Sequence, residues 1–302
     1  MERPLEGHEP VLIARVLHYL APSAGRIVVD CTVGRAGHAL EIARQLGTEG
    51  LLIGLDADPG NLQYAQDRLK EAPCRVRLFH ANFAELGDVI SQAGAASVDG
   101  ILADLGVSTN QLFEPRYGLS FSQDMPLDMR IDPRISKSAA DVVNHAREQD
   151  LADILFGLAQ ERYSRRIARK IVEARRVSPI TTTERLAEIV RSAIPSRGGA
   201  SEKIDPATRT FLALRMHVNQ EMDNLKRLLE SGLGLLGSGG RMVVISFQSM
   251  EDRLVKQAFR SAEQAGRVRI LTSKPVVPSP DEMDRNPRSR SSKLRAVEAI
   301  GH

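Results

Sequence analysis

Short apolar runs alternate with amphipathic ones over the first third of the chain. Residues 26–30 (Arg-Ile-Val-Val-Asp), 51–55 (Leu-Leu-Ile-Gly-Leu), 75–80 and 100–104 (Gly-Ile-Leu-Ala-Asp) read as strands, and 38–46 and 59–72 as helices between them. Runs apolar on both faces, spaced by helix-length segments, predict a doubly wound, mainly parallel α/β sheet. The rhythm stops near residue 114. From there to residue 213 no strand is predicted, and 138–158, 161–176 and 183–193 read as helices. Residues 196–203 (Ser-Arg-Gly-Gly-Ala-Ser-Glu-Lys) read as a mobile loop. After a further helix, 231–240 reads as a glycine-rich turn, 241–247 as a strand, 252–265 as a helix, and 268–271 and 293–297 as closing strands. The expectation is a discontinuous parent domain, 1–113 with 214–302, carrying an inserted helical domain over 114–213.

With 302 residues, 42% of them hydrophobic, the chain can bury one large α/β core plus an insert. A net charge of +3 is too weak to name a partner, so the distribution of charge has to. Cys31 and Cys74, alone and far apart, form neither a disulfide framework nor a zinc pattern, so no metal site and a reducing, cytoplasmic setting are expected. The N-terminus lacks the basic and apolar regions of a signal peptide, and no apolar run approaches the roughly 18 residues of a membrane span, so no membrane partner is expected.

The run ending at Asp30 leads through Cys31-Thr-Val-Gly34-Arg-Ala-Gly37-His38 into a helix. Open α/β sheets bind ligands beyond the carboxyl ends of their strands, where glycines let the backbone approach closely. A tight turn that only packs helix on sheet has the same composition. The loop lacks Gly-x-Gly-x-x-Gly, which argues against a nicotinamide dinucleotide. Asp56 ends the second run, where an acid can bind both ribose hydroxyls of a nucleotide cofactor or simply cap the helix at Pro59. Phe83 follows the third, as an adenine contact or as core. Asp104 ends the fourth. A hydrogen-bond acceptor there suits transfer to an exocyclic amine such as that of cytosine, whose lone pair is delocalised into the ring. A structural carboxylate capping a turn is the alternative.

Further motifs accumulate in order: His8-Glu-Pro-Val-Leu12, Asp104-Leu-Gly-Val-Ser108 with Gln111, Gly118-x-Ser-Phe121, Pro126-Leu-Asp-Met-Arg130, Glu161-Arg162, Arg166-Ile-Ala-Arg169, Pro206-Ala-Thr-Arg-Thr-Phe211, Ala213-Leu-Arg215, Ile245-Ser-Phe247, Glu251-Asp-Arg253 and Asn286-Pro-Arg-Ser-Arg-Ser291. Over nearly its whole length the chain resembles the bacterial 16S ribosomal RNA (cytosine-N4-) methyltransferases, the RsmH (MraW) family. That resemblance implies a Rossmann-like class I S-adenosylmethionine-dependent methyltransferase with an inserted helical substrate-recognition domain. It implies S-adenosyl-L-methionine contacts at Ala36, Gly37, His38, Asp56, Phe83, Asp104 and Gln111, beside Gly34 and Asp30. It implies methyl transfer to N4 of a decoding-site cytidine, with the small ribosomal subunit as partner, and leaves a homodimer open. Asp104 and Gln248 are the candidate catalytic positions. The chain departs from the family pattern at Ala36 (glycine), Gln248 and Asp205 (histidine) and Leu212 (glutamine). A methyl at 36 fits freely only if the backbone there is ordinary, and Gln248 cannot titrate. A fold-retaining RNA-binding assembly factor, and a methyltransferase for another nucleic acid or for protein, are the competing assignments. A missing Asn/Asp-Pro-Pro-aromatic motif argues against an ordinary DNA amino-methyltransferase.

Arg162, Arg166, Arg169 and Arg176 fall on one face of the expected helix 161–176, opposite Tyr163, Ile167, Ile171 and Ala174. Residues 285–295 hold Arg285, Arg288, Arg290, Lys293 and Arg295 and no acid. Both are candidate phosphate tracks, although a charged stripe is often just a solvated face. A base in folded RNA must be splayed out to be modified, and Tyr117 and Phe121 are candidates for its stacking platform, or for core.

Overall fold

The computed structural model describes residues 10–195 and 205–301. His8, Glu9 and the expected loop 196–203 lie outside the described residues. In chain order, α1 (Ile13–Leu20) is followed by β1 (Ile27–Asp30), α2 (Gly37–Leu46), β2 (Leu51–Asp56), α3 (Pro59–Arg68), β3 (Arg75–His80), α4 (Leu86–Gln92) and β4 (Val98–Asp104). Next come α5 (Thr109–Phe113), α6 (Ala139–His145), α7 (Glu148–Ala159), α8 (Ser164–Arg175), α9 (Thr183–Ala193) and α10 (Ala207–Val218). The chain ends with α11 (Glu221–Leu235), β5 (Leu236–Ser246), α12 (Ser249–Gln264), β6 (Val268–Ile270), α13 (Pro280–Arg285) and β7 (Lys293–Ala299). Two compact units result, residues 1–106 with 222–302, and residues 107–221.

The first unit is built on a seven-stranded sheet in the order β3-β2-β1-β4-β5-β7-β6. Strands β1 to β5 pair in parallel, and β7 runs antiparallel to both its neighbours. All six residues of β2 are buried, as a central parallel strand covered on both faces requires, whereas edge strand β3 exposes Arg75, Arg77 and His80. Alternate residues feed two cores. Val29, Ile53 and Ile101 pack with Leu86 and Ile90 of α4, Leu228 and Leu229 of α11 and Phe259 of α12. Val28, Leu52 and Leu102 pack with Val16 and Leu20 of α1 and Ile42 and Leu46 of α2. Because the strands are parallel, Asp30, Asp56 and Asp104 end at one edge of the sheet, and the winding reverses between β1 and β4.

Residues 231–240 are not a turn. Residues 231–235 complete α11, with Gly232 and Leu233 buried, and 236–240 open β5 with a register shift against β4. Burial of the leucines overrides the local preference of a glycine-rich segment.

Among its described residues the second unit holds helices, an irregular stretch over 118–138 and one isolated bridge, Pro126 to Thr182. Its core joins Leu151 and Leu155 of α7, Ile167 and Ile171 of α8, Leu186 and Val190 of α9, and Phe211, Leu214 and Val218 of α10. The expected boundary at 213/214 falls inside α10, whose apolar residues on both sides of that point share this core, so the unit extends to Glu221. The expected helix 138–158 is two helices. Ala146 and Arg147 are extended, and Arg175 donates from Nη1 to the carbonyls of Val143 and Ala146 at 2.8 Å each, satisfying the end of α6. The expected helix 161–176 begins at Ser164, after Gln160 closes α7 in a left-handed conformation. No helix of the described residues is long and apolar enough to cross a membrane.

Candidate cofactor site at the strand ends

Asp30 is 1% exposed. Its Oδ1 accepts from the backbone N of Thr32 at 3.1 Å, and Thr32 Oγ1 in turn accepts from the backbone N of Asp104 at 2.8 Å. Thr32 therefore ties the loop after β1 to the end of β4. The same loop is tied to β2. Gly34, at φ 51°, donates its N–H to Asp56 Oδ2 at 2.8 Å, and Asp56 Oδ1 accepts from the N of Asp58, also at 2.8 Å. The helix-capping role open to Asp56 belongs to Asp58, whose side chain accepts from the N of Gly60 and caps α3.

Ala36 stands at φ 60°, ψ 33°, the left-handed region, immediately before α2. The dihedrals are not ordinary, so its methyl is carried at a cost of about 1 kcal/mol relative to glycine. That methyl is fully buried in the apolar layer beneath α2. Gly37 and His38 then form the first turn of α2. His38 Nε2 meets the carbonyl oxygen of Val11 at 2.8 Å, and its Nδ1 lies 3.8 Å from Asp104 Oδ2. Asp104 Oδ1 is buried without a hydrogen-bond partner.

Burial governs the charge states here. It pushes Asp104 up to about 8, with the Asp30 and Glu251 charges adding to the effect. Burial raises Asp30 to about 7 against the hydrogen bond from Thr32, and Asp56 to about 6 against those from Asp58 and Gly34. Burial lowers the His38 imidazole to about 4. Phe83 opens the turn Phe83–Glu85, which Asn82 caps, and its half-buried ring packs against the sheet core.

The match to the MraW methylase family model spans residues 6–300. The chain belongs to that family. Curated relatives named "Ribosomal RNA small subunit methyltransferase H" include one from Geobacter sulfurreducens, 47% identical over 97% of this chain and 99% of its own length. One from Solibacter usitatus is 48% identical over 96% and 99%, and one from Syntrophobacter fumaroxidans 45% identical over 99% and 98%. The sheet order, with β7 reversed between β5 and β6, is that of a Rossmann-like class I methyltransferase.

Two positions of this methylase are already engaged in local structure. Gln111, in the helical unit, accepts from the N of Ser108 at 3.0 Å and closes the capping box of α5. Gln248 is the N-cap of α12, in a capping box with Glu251. Glu251, 3% exposed, accepts from the backbone N of Phe247 at 2.9 Å and of Gln248 at 3.0 Å. Thr32 and Glu251 had no role assigned from sequence. A glutamate three residues after an N-cap is the signal that finds Glu251.

Of the basic candidates, Arg162, Arg166, Arg169 and Arg176 are exposed, as is Arg165 beside them. Arg162 precedes α8 and lies 4.6 Å over the ring of Tyr163. The buried stripe opposite is Ile167, Ala168, Ile171 and Val172, with Tyr163 and Ala174 only half-buried. In the C-terminal run, Arg290 is exposed and Arg288 half-buried. The run is not free of acid in space. Asp252 of α12 pairs with Arg295 at 2.6 Å and with Lys293 at 3.7 Å, and Arg295 is buried. Tyr117 and Phe121 are not an open platform: Tyr117 is 4% exposed, and Phe121 stacks edge-on to Phe211 at 4.7 Å.

Proposed function

We propose that this methylase transfers the methyl group of S-adenosylmethionine to the exocyclic N4 of a decoding-site cytidine in 16S ribosomal RNA. The observation that carries the reading is Asp104 Oδ1, a buried acceptor without a partner at the end of β4, beside the reversal of the sheet. Such an atom is costly unless something donates to it, and an amine is a donor. The loop around it fits a nucleotide-like cofactor, because the partly exposed Gly34 and Gly37 carry no side chain to bar a close approach of a ligand to the backbone.

When bound, S-adenosylmethionine supplies an electrophilic methyl on a sulfonium. Asp56 would hold ribose hydroxyls with the lone pairs that Gly34 and Asp58 leave over, Phe83 would cover the adenine, and Gly34, Ala36, Gly37 and His38 would line the methionine part. Asp104 receives the hydrogen bond of the N4 amine, orients it and takes a proton from it. Orientation of the amine supplies much of the rate. Arg162, Arg166 and Arg169, with Arg288, Arg290 and Lys293, hold phosphates of the small-subunit RNA.

The test is incubation of the purified protein with under-methylated small subunits and radiolabelled S-adenosylmethionine, followed by nucleoside mass spectrometry. Label in N4-methylcytidine at one position is expected. Unlabelled RNA, with cofactor binding confirmed by calorimetry, overturns the proposal and favours an assembly factor.

A further inference from the structure

Val11 and Asp104 approach the two nitrogens of His38 from opposite sides. A carbonyl oxygen can only accept, so the Nε2 that meets Val11 carries the ring hydrogen and donates it at 2.8 Å. Nδ1 of the neutral ring is then a bare lone pair. Asp104 Oδ2 lies 3.8 Å from that nitrogen, longer than a hydrogen bond, so the pair must draw together before a proton can pass. Two acceptors face one another there unless a proton lies between them. The other oxygen, Oδ1, is buried and has no hydrogen-bond partner. One carboxyl group thus has one oxygen with no donor and the other near an imidazole.

We infer that His38 is the second proton site of the reaction: its Nδ1 takes the proton of Asp104 Oδ2 as Asp104 Oδ1 takes one from the methylated amine. The N–H bond of the amine breaks and Oδ1–H forms; Oδ2–H breaks and Nδ1–H forms. The positive charge that reaches N4 with the methyl group ends on the imidazolium, and Asp104 ends neutral, as it began, with its hydrogen on the other oxygen. His38 does not touch the amine; it is a positioning residue that acts through Asp104. The inference rests on the proposed transfer to an amine.

The surroundings support the starting state. Asp30 from the end of β1 and Glu251 from α12 are the charged groups that act on Asp104, His38 faces it from α2, and Thr32 holds its backbone N. Both carboxylates oppose ionisation of Asp104, held up at about 8, while burial keeps His38 unprotonated to about 4. At neutral pH the proton therefore resides on Asp104 and Nδ1 is open to receive it. A protonated N4, whose lone pair belongs to the ring system, is acidic enough to drive the transfer.

Two measurements test this. Long-range proton–nitrogen NMR of the cofactor-free protein, labelled with nitrogen-15 histidine and assigned with His38→Gln, reads the tautomer. An Nε2–H ring with unprotonated Nδ1 at pH 7 is expected; an Nδ1–H tautomer or an imidazolium at pH 7 overturns the inference. The second is single-turnover methyl transfer between pH 6 and 8. Wild type is expected to be flat. Glutamine keeps a donor for Val11 but no proton acceptor for Oδ2, so the His38→Gln rate should rise about tenfold per pH unit, following ionisation of Asp104. A His38→Gln profile lower than, but parallel to, wild type means a merely structural role and overturns it. Wild type that labels no RNA defeats the proposed function, and the NMR tautomer then decides the proton pair by itself.

Discussion

Ala36 combines a left-handed backbone with a fully buried methyl group. The two effects oppose each other. Glycine would relieve about 1 kcal/mol of backbone strain but give up about 0.8 kcal/mol of buried methyl. Ala36→Gly is therefore expected to melt within a few degrees of wild type, while Ala36→Val, β-branched at positive φ and overpacked, should lose about 2 kcal/mol or more in urea unfolding. The acids at the nearby strand ends make stability depend on pH. Unfolded, each loses its proton near pH 4; folded, Asp56, Asp30 and Asp104 keep theirs to about 6, 7 and 8. As pH rises through that window the unfolded chain sheds protons the folded chain retains, so stability falls. His38 acts in the opposite sense. Its folded value of about 4 lies below the ordinary 6.5, so its contribution is complete above pH 6.5 and is lost as pH falls toward 4. Between pH 6.5 and 8.5 the carboxyls dominate, and the melting temperature should drop. Asp104→Asn should flatten that drop, and an unchanged slope in calorimetric scans would show that Asp104 is ionised throughout.

Among elements, the end of α10 shows how one side chain stitches distant backbone. Asn219, 8% exposed, accepts from the N of Ile131 at 2.9 Å and donates to the carbonyl of Met129 at 2.7 Å. Met129 sits at φ 65°, a conformation that a long side chain adopts only where its surroundings enforce it. Asn219→Ala leaves two backbone groups without these partners, and a loss of about 2–3 kcal/mol is expected from the urea midpoint at unchanged slope. A loss below about 0.5 kcal/mol would mean that water replaces both bonds. The capping box at α12 has the same logic: Glu251 satisfies two N–H groups at the start of the helix while adding a negative charge near Asp104.

For the whole molecule, RNA binding is the property that charge distribution governs. Replacing Arg162, Arg166 and Arg169 together by alanine should weaken binding of small-subunit RNA, sequence-independently. It should also reduce the slope of log affinity against log salt by about 2, since each phosphate contact contributes about 0.7–0.9. Cofactor binding measured by calorimetry should not change. An unaltered salt slope would mean that these arginines are only a solvated face.

What could be read from the chain alone was local. Burial on both faces writes a continuous apolar run, so β1 to β4 were legible, and with them Asp30, Asp56 and Asp104, because each acid stands where its run stops. The ordered motifs were legible as well, and the family match agrees with them. What required the tertiary structure was every feature made by residues far apart. Periodicity does not reveal that β7 returns antiparallel between β5 and β6, that Arg295 meets Asp252 across 43 positions, or that Arg175 captures the carbonyls that end α6. Nor does it place His38 beside Asp104, or turn the backbone at Ala36 left-handed. Side-chain pattern reports which face of an element is buried. Which two buried groups then meet, and so which of them holds the proton, is decided by packing between elements.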